Sequence, residues 1–527
     1  MRFFRIATCI ALIASGMTVV QAEITSLSIK STEMYGDFST GRYIRIEAEA
    51  RGSLAPTEAI PGLDRAARNA GGRVEYSTPI TIVFPEKAGR GNGALIVDVP
   101  NRGRAISHGL YNSPRSRPIA VGSLDQGTGF LEERGYTTVV VQWELGEGPT
   151  LPSFQDGGRK LYAEGVGFAA VRDVAVFLRD ASAPANPIAG TIDRAYAMGY
   201  SQTARFLKSF LANGFNEIDG RLVFVGLHII NAAAGGMPLL DAGPGPGSVA
   251  WETPGHSNAE SRGVHEAPFT YGEVMQGPRA RYKQWPMIIV NNTYNDYLGG
   301  RASLARTGLR GIADVPIPDM VRVYDVSGAP HINQRGKVAD CAEGPSQLDW
   351  SPALRAELVA LDEWVRHKSP PPASRLFALE ARTSDRAVLQ AASYMNGAVV
   401  TVPKRDADGN AQSGLVLPDI AVPIASYGEM NSPLAVQICR QSGTYHPFAA
   451  TAAERKAKGD ERLSLEERYP GGVNEYVTKV RLAAQALVRD RLLLHEDEAV
   501  IVNAAAENPA FAPTKPRARG AVPPPTR

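Results

Sequence analysis

Five residues, Gly199-Tyr200-Ser201-Gln202-Thr203, follow the apolar run Ala195 to Met198 and open directly into a segment whose Phe206, Leu207, Phe210 and Leu211 share one helical face. A serine hydroxyl attacks a carbonyl carbon only when a base takes its proton, and a sharp strand-to-helix turn lifts that hydroxyl clear of the sheet. The same Gly-x-Ser spacing recurs at Gly344-Pro345-Ser346, without a preceding strand and with a proline inside it. Ser201 is therefore the candidate nucleophile, and its bland alternative is an N-cap in an ordinary turn. The base should be a histidine that follows a late strand, and His331 follows the run Met320 to Val326 through Ser327-Gly328-Ala329-Pro330. His108 and His265 are rivals in loops. The acid should follow the preceding strand, Met287 to Val290, where Asp296 is the first carboxylate, with Asp314, Asp319 and Asp325 as rivals. Donors for a developing oxyanion are expected from the N–H of Gln202 and from the loop at Asn101 and Arg102, just past Pro100.

Those groups need a scaffold with several strand ends side by side. Ala94 to Val99 and Thr137 to Val141 are almost unbroken apolar runs, which suit strands buried on both faces. Between Gly167 and Asp180 the period changes to that of a helix, and further strands are expected at Val223 to Ile230, Met287 to Val290 and Met320 to Val326. A helix from Pro352 to about Arg366 stops before Pro370-Pro371-Pro372. This alternation predicts an α/β domain over residues 86–370 with a mainly parallel sheet. Residues 23–85 read as an N-terminal extension of short β-rich runs. A polar, Gly- and Pro-rich insertion at 232–285 is expected over the site, with Trp251, Phe269 and Tyr271 supplying a substrate pocket. Residues 371–507 read as a C-terminal α+β extension with a turn at Asp408-Gly409 and a long helix from Gly472 to about Leu494, and 508–527 as a disordered tail.

The ordered series of motifs resembles a bacterial family of alpha/beta hydrolase domain-containing proteins, whose elbow reads Gly-Phe-Ser-Gln-Ser/Thr-Gly-Arg. The resemblance runs through Asn101-Arg102-Gly103, Gly135-Tyr136-Thr137 with Trp143, Val171-Arg172-Asp173 and Asn295-Asp296-Tyr297 with Ala302-Ser303-Leu304. It continues at Gly328 to His331 and at Ser464 to Tyr469. It implies an alpha/beta-hydrolase fold and a triad of Ser201, His331 and Asp296. Ala204 stands where the family usually has glycine, and Asp296 where it commonly has glutamate, one methylene longer.

The first 22 residues read as a secretory signal: Arg2 and Arg5 precede an apolar stretch from Ile6 to Val20, and Val20-Gln21-Ala22 supplies small residues for cleavage. The stretch is short for a membrane span, so a periplasmic or secreted protein with no stable membrane insertion after cleavage is expected. Of the 3 Cys, Cys9 would leave with the signal. Cys341 and Cys439 remain, either as a disulfide or as two buried thiols. With 56 basic against 54 acidic residues, no basic surface for nucleic acid is indicated, and a neutral or weakly charged ester is the expected small-molecule partner. No metal ligand set and no cofactor are expected. Two other classes remain: a non-catalytic binding protein on the same scaffold, and a nucleotide-dependent oxidoreductase suggested by Gly165-Val166-Gly167-Phe168-Ala169-Ala170, which lacks the preceding strand such a motif requires.

Overall fold

The apolar runs form the middle of one nine-stranded sheet. The computed structural model describes residues 23–115, 124–237, 239, 270–277, 282–308, 313–333, 340–381, 401–428, 430–434 and 436–511. Residues 1–22, read above as a secretory signal, and His265, Trp251 and Phe269 lie outside these. The strands are β1 (Glu23–Phe38), β2 (Gly41–Leu54), β3 (Val74–Pro85), β4 (Ala94–Val99), β5 (Thr137–Val141), β6 (Arg194–Tyr200), β7 (Gly226–Ile230), β8 (Met287–Thr293) and β9 (Val321–Val326). Their spatial order is β1-β2-β3-β5-β4-β6-β7-β8-β9. Pairing is antiparallel from β1 to β5 and parallel from β5 to β9. Every residue of β4, β5, β6 and β7 is buried, as expected where helices cover both faces.

The helices that matter for the site are α1 (Ile106–Tyr111), α2 (Gly165–Arg179), α3 (Gln202–Ala212), α4 (Tyr294–Gly299), α5 (Ser351–His367), α6 (Gln437–Ser442), α7 (Gly472–Arg489) and α8 (His495–Ala506). On one face of the sheet Phe168 of α2 stacks on Phe206 of α3 with ring centroids 3.9 Å apart, and Trp143 packs against both. On the other face Trp350, Leu354, Leu358 and Leu361 of the α5 region close a second core.

Several boundaries differ from the sequence expectation for physical reasons. The N-terminal segment forms three long strands, of 16, 14 and 12 residues, and they belong to the main sheet. Residues that looked like strand breakers mark bulges in β1 or close approach: a Cβ on Gly52 would stand 2.4 Å from the Tyr76 ring. The run Val223 to Ile230 becomes a strand only from Gly226, because Val223 and Phe224 donate their N–H groups to Asn216. The long C-terminal helix stops at Arg489: Arg491 takes φ 60 and turns Leu492 and Leu493 into the core. Residues 508–511, expected to be disordered, include a 3₁₀ turn whose Phe511 stacks on Tyr476 at 4.7 Å.

The glycines of Gly165-x-Gly167-x-x-Ala170 have a packing role. A Cβ on Gly167 would lie 2.1 Å from the carbonyl oxygen of Trp143, so glycine lets α2 rest on the chain leaving β5. The segment before α2 is a small hairpin, Ser153–Asp156 with Arg159–Tyr162, outside the main sheet. The strand-then-helix context of a dinucleotide site is therefore missing.

Residues 371–507 are built onto the same core. Arg375 and Leu415 exchange backbone hydrogen bonds with β9, where Asp325 N–H donates to Arg375 O at 2.9 Å and Leu415 N–H to Asp325 O at 2.7 Å. Phe377 meets Tyr297 edge to face at 5.1 Å. Cys341 and Cys439 are joined by a disulfide across 98 residues of sequence, and Cys439 lies inside α6. Closing a loop of that length restricts the unfolded chain, so Cys439→Ala is expected to lower the unfolding free energy by about 2–5 kcal/mol in a denaturant titration. A loss below about 1 kcal/mol would show that the crosslink constrains little.

Candidate active site

The parallel half of the sheet ends in a row of loops, and the sequence candidates sit on them in strand order. Asn101 follows β4, Ser201 follows β6, Asn231 follows β7, Asp296 follows β8 and His331 follows β9. In an open α/β sheet this carboxyl edge is where functional groups gather.

Local geometry at Ser201 is forced by the approach of α3 to β6. A Cβ on Gly199 would stand 2.5 Å from the Thr203 carbonyl oxygen, so only glycine fits there. Ser201 itself takes φ 59 and ψ −109, a conformation that L residues rarely adopt. Its N–H donates to Ile230 O at 2.8 Å, while Tyr200 N–H donates to Thr203 Oγ1 at 3.0 Å and Asn101 Nδ2 donates to Tyr200 O at 3.0 Å. These bonds hold the turn from three sides.

Ser201 Oγ lies 2.9 Å from His331 Nε2, and His331 Nδ1 lies 2.5 Å from Asp296 Oδ1. The tautomer that satisfies both contacts carries its proton on Nδ1 and accepts the serine proton at Nε2. Asp296 is divided between two tasks. Oδ1 faces His331, while Oδ2 accepts from Thr293 N at 2.7 Å and Thr293 Oγ1 at 2.8 Å in the capping box of α4. The His331 backbone carbonyl accepts from Asn231 Nδ2 at 3.1 Å and from the Tyr200 hydroxyl, and Tyr200 leans on the imidazole with ring centroids 5.4 Å apart.

Residues 55–503 match the family described as Alpha/beta hydrolase domain. The chain belongs to this family. No curated protein matches it. Solved structures with detectable likeness include a glucuronoyl esterase from Solibacter usitatus, 13% identical over 57% of this chain and 80% of that one, with a TM-score of 0.29. Another is the rice cell wall degrading esterase LipA from Xanthomonas oryzae, 10% identical over 56% of this chain and 90% of that one, with a TM-score of 0.29.

The remaining candidates of this hydrolase fall differently. The N–H of Asn101 is tied to Arg104 O at 2.9 Å, so Asn101 shapes the elbow through its side chain, and Arg102 beside it turns at φ 48 and lines the cleft. The Gln202 side chain donates to the buried Glu144 at 2.9 Å, pinning the first residue of α3. Tyr271 is buried away from the cleft, its hydroxyl accepting from Asn292 Nδ2 at 3.1 Å, and does not line a pocket around Ser201. Of the rival groups, His108 is buried against Tyr35 and Asn112, and burial pushes its pKa down to about 4. Asp325 accepts from Tyr297, Asn292 and the Phe377 N–H inside the core. Among the described residues no group of three or more His, Cys, Asp or Glu could hold a metal, and no helix is long and apolar enough to cross a membrane.

Ser201, Asp296 and His331 open into a cleft of about 200 Å³. Its described walls are polar, and Arg102, Arg205, Arg301 and Arg440 stand among them. The near-neutral whole-chain charge is an average and does not report on this local surface. Sequence reasoning missed Arg205, Arg301, Arg440 and Asn231. Two carried a local signal: Arg205 stands where the family elbow ends in arginine, and Asn231 is an asparagine directly after a buried strand, where φ 58 is easiest for that side chain.

The chain after β7 is held by Lys208 of α3, which donates from Nζ to Ala234 O at 2.7 Å and to Ala233 O at 3.3 Å. Burial, reinforced by the neighbouring Arg205 charge, pushes the Lys208 pKa down to about 7, against a weaker upward pull from Glu273. Between about pH 7 and 10.5 the unfolded chain therefore binds a proton that the folded chain has lost, and stability contributed by this group rises with pH across that window. Relative to the parent, Lys208→Met is expected to flatten this rise in unfolding free energies measured at pH 7, 8.5 and 10. An unchanged slope would remove Lys208 as its source. At the elbow, Gly199→Ala is expected to cost about 3 kcal/mol of stability, read by thermal unfolding, because backbone rather than a flexible side chain meets the new methyl.

Proposed function

We propose that this alpha/beta hydrolase is an exported serine hydrolase that cleaves a small carboxylic ester through an acyl-enzyme. The observation that carries this reading is the 2.9 Å approach of Ser201 Oγ to His331 Nε2, with Asp296 2.5 Å behind the imidazole. His331 takes the serine proton as Oγ attacks the ester carbonyl, and Asp296 holds the ring and stabilises the imidazolium. The oxyanion that forms faces the N–H of Gln202, at the positive end of α3, and the N–H of Arg102. The imidazolium then protonates the departing alcohol. Water enters, gives its proton to His331 and attacks the acyl carbon; His331 returns that proton to Ser201 Oγ as the ester bond to Ser201 breaks, and the acid leaves. Export is supported by the basic-then-apolar pattern of residues 1–22 and suits a chain with a disulfide. No cofactor enters any step.

Purified protein is expected to be labelled by a fluorophosphonate probe, and Ser201→Ala to abolish both labelling and ester hydrolysis, with kcat falling by about 10⁴-fold or more. Equal labelling of parent and variant, or none of either, would overturn the assignment of Ser201.

A further inference from the structure

The backbone carbonyl of His331 is held by two side chains, the Tyr200 hydroxyl and Asn231 Nδ2, the latter at 3.1 Å. Both come from the immediate surroundings of the nucleophile. Tyr200 precedes Ser201, whose N–H donates to Ile230 O at 2.8 Å, and Asn231 follows Ile230. The bonds therefore close a circuit that runs from His331 O through Tyr200, Ser201, Ile230 and Asn231 back to His331 O. It joins the ends of β6 and β7 to the loop after β9, passing over β8. The serine proton has to cross the 2.9 Å between Ser201 Oγ and His331 Nε2, two atoms whose residues both belong to this circuit. The carboxylate of Asp296 bonds His331 and Thr293, so it orients the imidazole without setting how far that ring stands from Ser201.

Asn231 is held in this circuit at a cost to stability. It is 1% exposed and sits at φ 58, and among the described residues its Oδ1 has no hydrogen-bond partner. Turning the amide over would set oxygen against the His331 oxygen, so the bond to His331 fixes the orientation that leaves Oδ1 alone. A buried acceptor without a donor is destabilising, and so is positive φ away from glycine. Satisfying a buried carbonyl takes one donor, and Tyr200 already supplies it. The needs of the fold therefore do not account for Asn231.

We propose that Tyr200 and Asn231 are a pair of positioning residues that set the distance between nucleophile and base. This rests on the serine-hydrolase reading above and adds the groups that keep its two reacting atoms in register. Both act through the main chain of His331: a shift of its carbonyl carries Nε2 with it, and proton transfer is sensitive to such displacements. With either bond removed, the other becomes a pivot about which the His331 carbonyl can swing. The two side chains therefore work as one unit, and neither suffices without the other.

Two substitutions test this. Tyr200→Phe keeps the aromatic ring beside the imidazole, 5.4 Å between centroids, and removes only the hydroxyl. Asn231→Gly removes the amide and leaves a residue that adopts φ 58 without strain. With 4-nitrophenyl acetate as substrate, each variant is expected to lower kcat and kcat/KM by the same factor, about 10- to 100-fold, as loss of an interaction that serves the transition state requires. The double variant should fall within about threefold of the slower single variant, because either loss already opens the circuit. Fluorophosphonate labelling of Ser201 should slow by a similar factor in each. Thermal midpoints within about 4 °C of the parent would place these losses in folded enzyme. Parent-like kcat in both single variants, losses confined to KM, or losses that multiply in the double variant would each overturn the proposal. Should Asn231→Gly not fold, Tyr200→Phe decides alone, and an unchanged kcat overturns it. Labelling separates this inference from the reading beneath it: a parent that is labelled no faster than its variants sinks the positioning pair alone, and a parent that is not labelled sinks both.

Discussion

Everything at the site follows from how closely α3 approaches the end of β6. With no side chain on Gly199, the Thr203 carbonyl comes to a distance at which a methyl could not fit, and the chain reverses within one residue. That residue is Ser201, and the reversal drives it to positive φ. An unstrained serine would lie along the strand or the helix and present its hydroxyl to the sheet or to the helix surface. Held at φ 59, it presents the hydroxyl above the carboxyl edge, within reach of a histidine that arrives three strands away. The cost of the turn, about 1–2 kcal/mol, is offset by bonds to Ile230 of β7, Thr203 of α3 and Asn101 of the loop after β4. Strain and its compensation are therefore built from the same core that makes the domain stable.

The acid shows the same economy of means. Asp296 begins life as a capping residue: the Thr293-x-x-Asp296 pair closes the start of α4, which any short helix after a strand needs. One carboxylate oxygen suffices for the cap, and the second is left to face His331. Fixing the carboxylate by two donors from Thr293 leaves it little freedom to rotate away from the imidazole. An aspartate works here because the cap brings its backbone close; a longer side chain could bond the imidazole from further back but would not close the same three-residue box so tightly. Helix cap and partner of the imidazole are thus one carboxylate in one geometry.

What was legible in the sequence is what one element or one chain-local motif encodes. The strand-Gly-x-Ser-helix passage, the buried runs at 94–99 and 137–141 and the order of Ser201, Asp296 and His331 are of this kind, and all lie within the residues 55–503 that match the family. Illegible were features that depend on neighbours distant in sequence. Gly52 and Gly167 look like a break and a nucleotide motif until Tyr76 and Trp143 are placed against them. Tyr271 looks like a pocket residue by composition but is drawn inward by Asn292. The four arginines of the cleft lie on segments between residues 102 and 440, and each alone is an ordinary surface charge. A balance of 56 basic and 54 acidic residues averages them away.

The division of labour between sheet and appended chain explains why the C-terminal segment is more than a decoration. The reacting groups stand on loops of the parallel sheet, whose spacing is fixed by strand pairing. One wall of the cleft, with Gln437, Arg440 and Gln441, stands instead on α6, over 100 residues beyond the last triad residue. That wall is registered against the site by backbone contacts: Asn295 Nδ2 donates to Arg440 O at 3.0 Å and Ile332 N–H to Gln441 O at 3.0 Å. Both anchors are immediate neighbours of triad residues, one beside Asp296 and the other beside His331, and the disulfide ties α6 to Cys341. Side chains on α6 can therefore change what the cleft attracts while its main-chain bonds still brace the acid and the base.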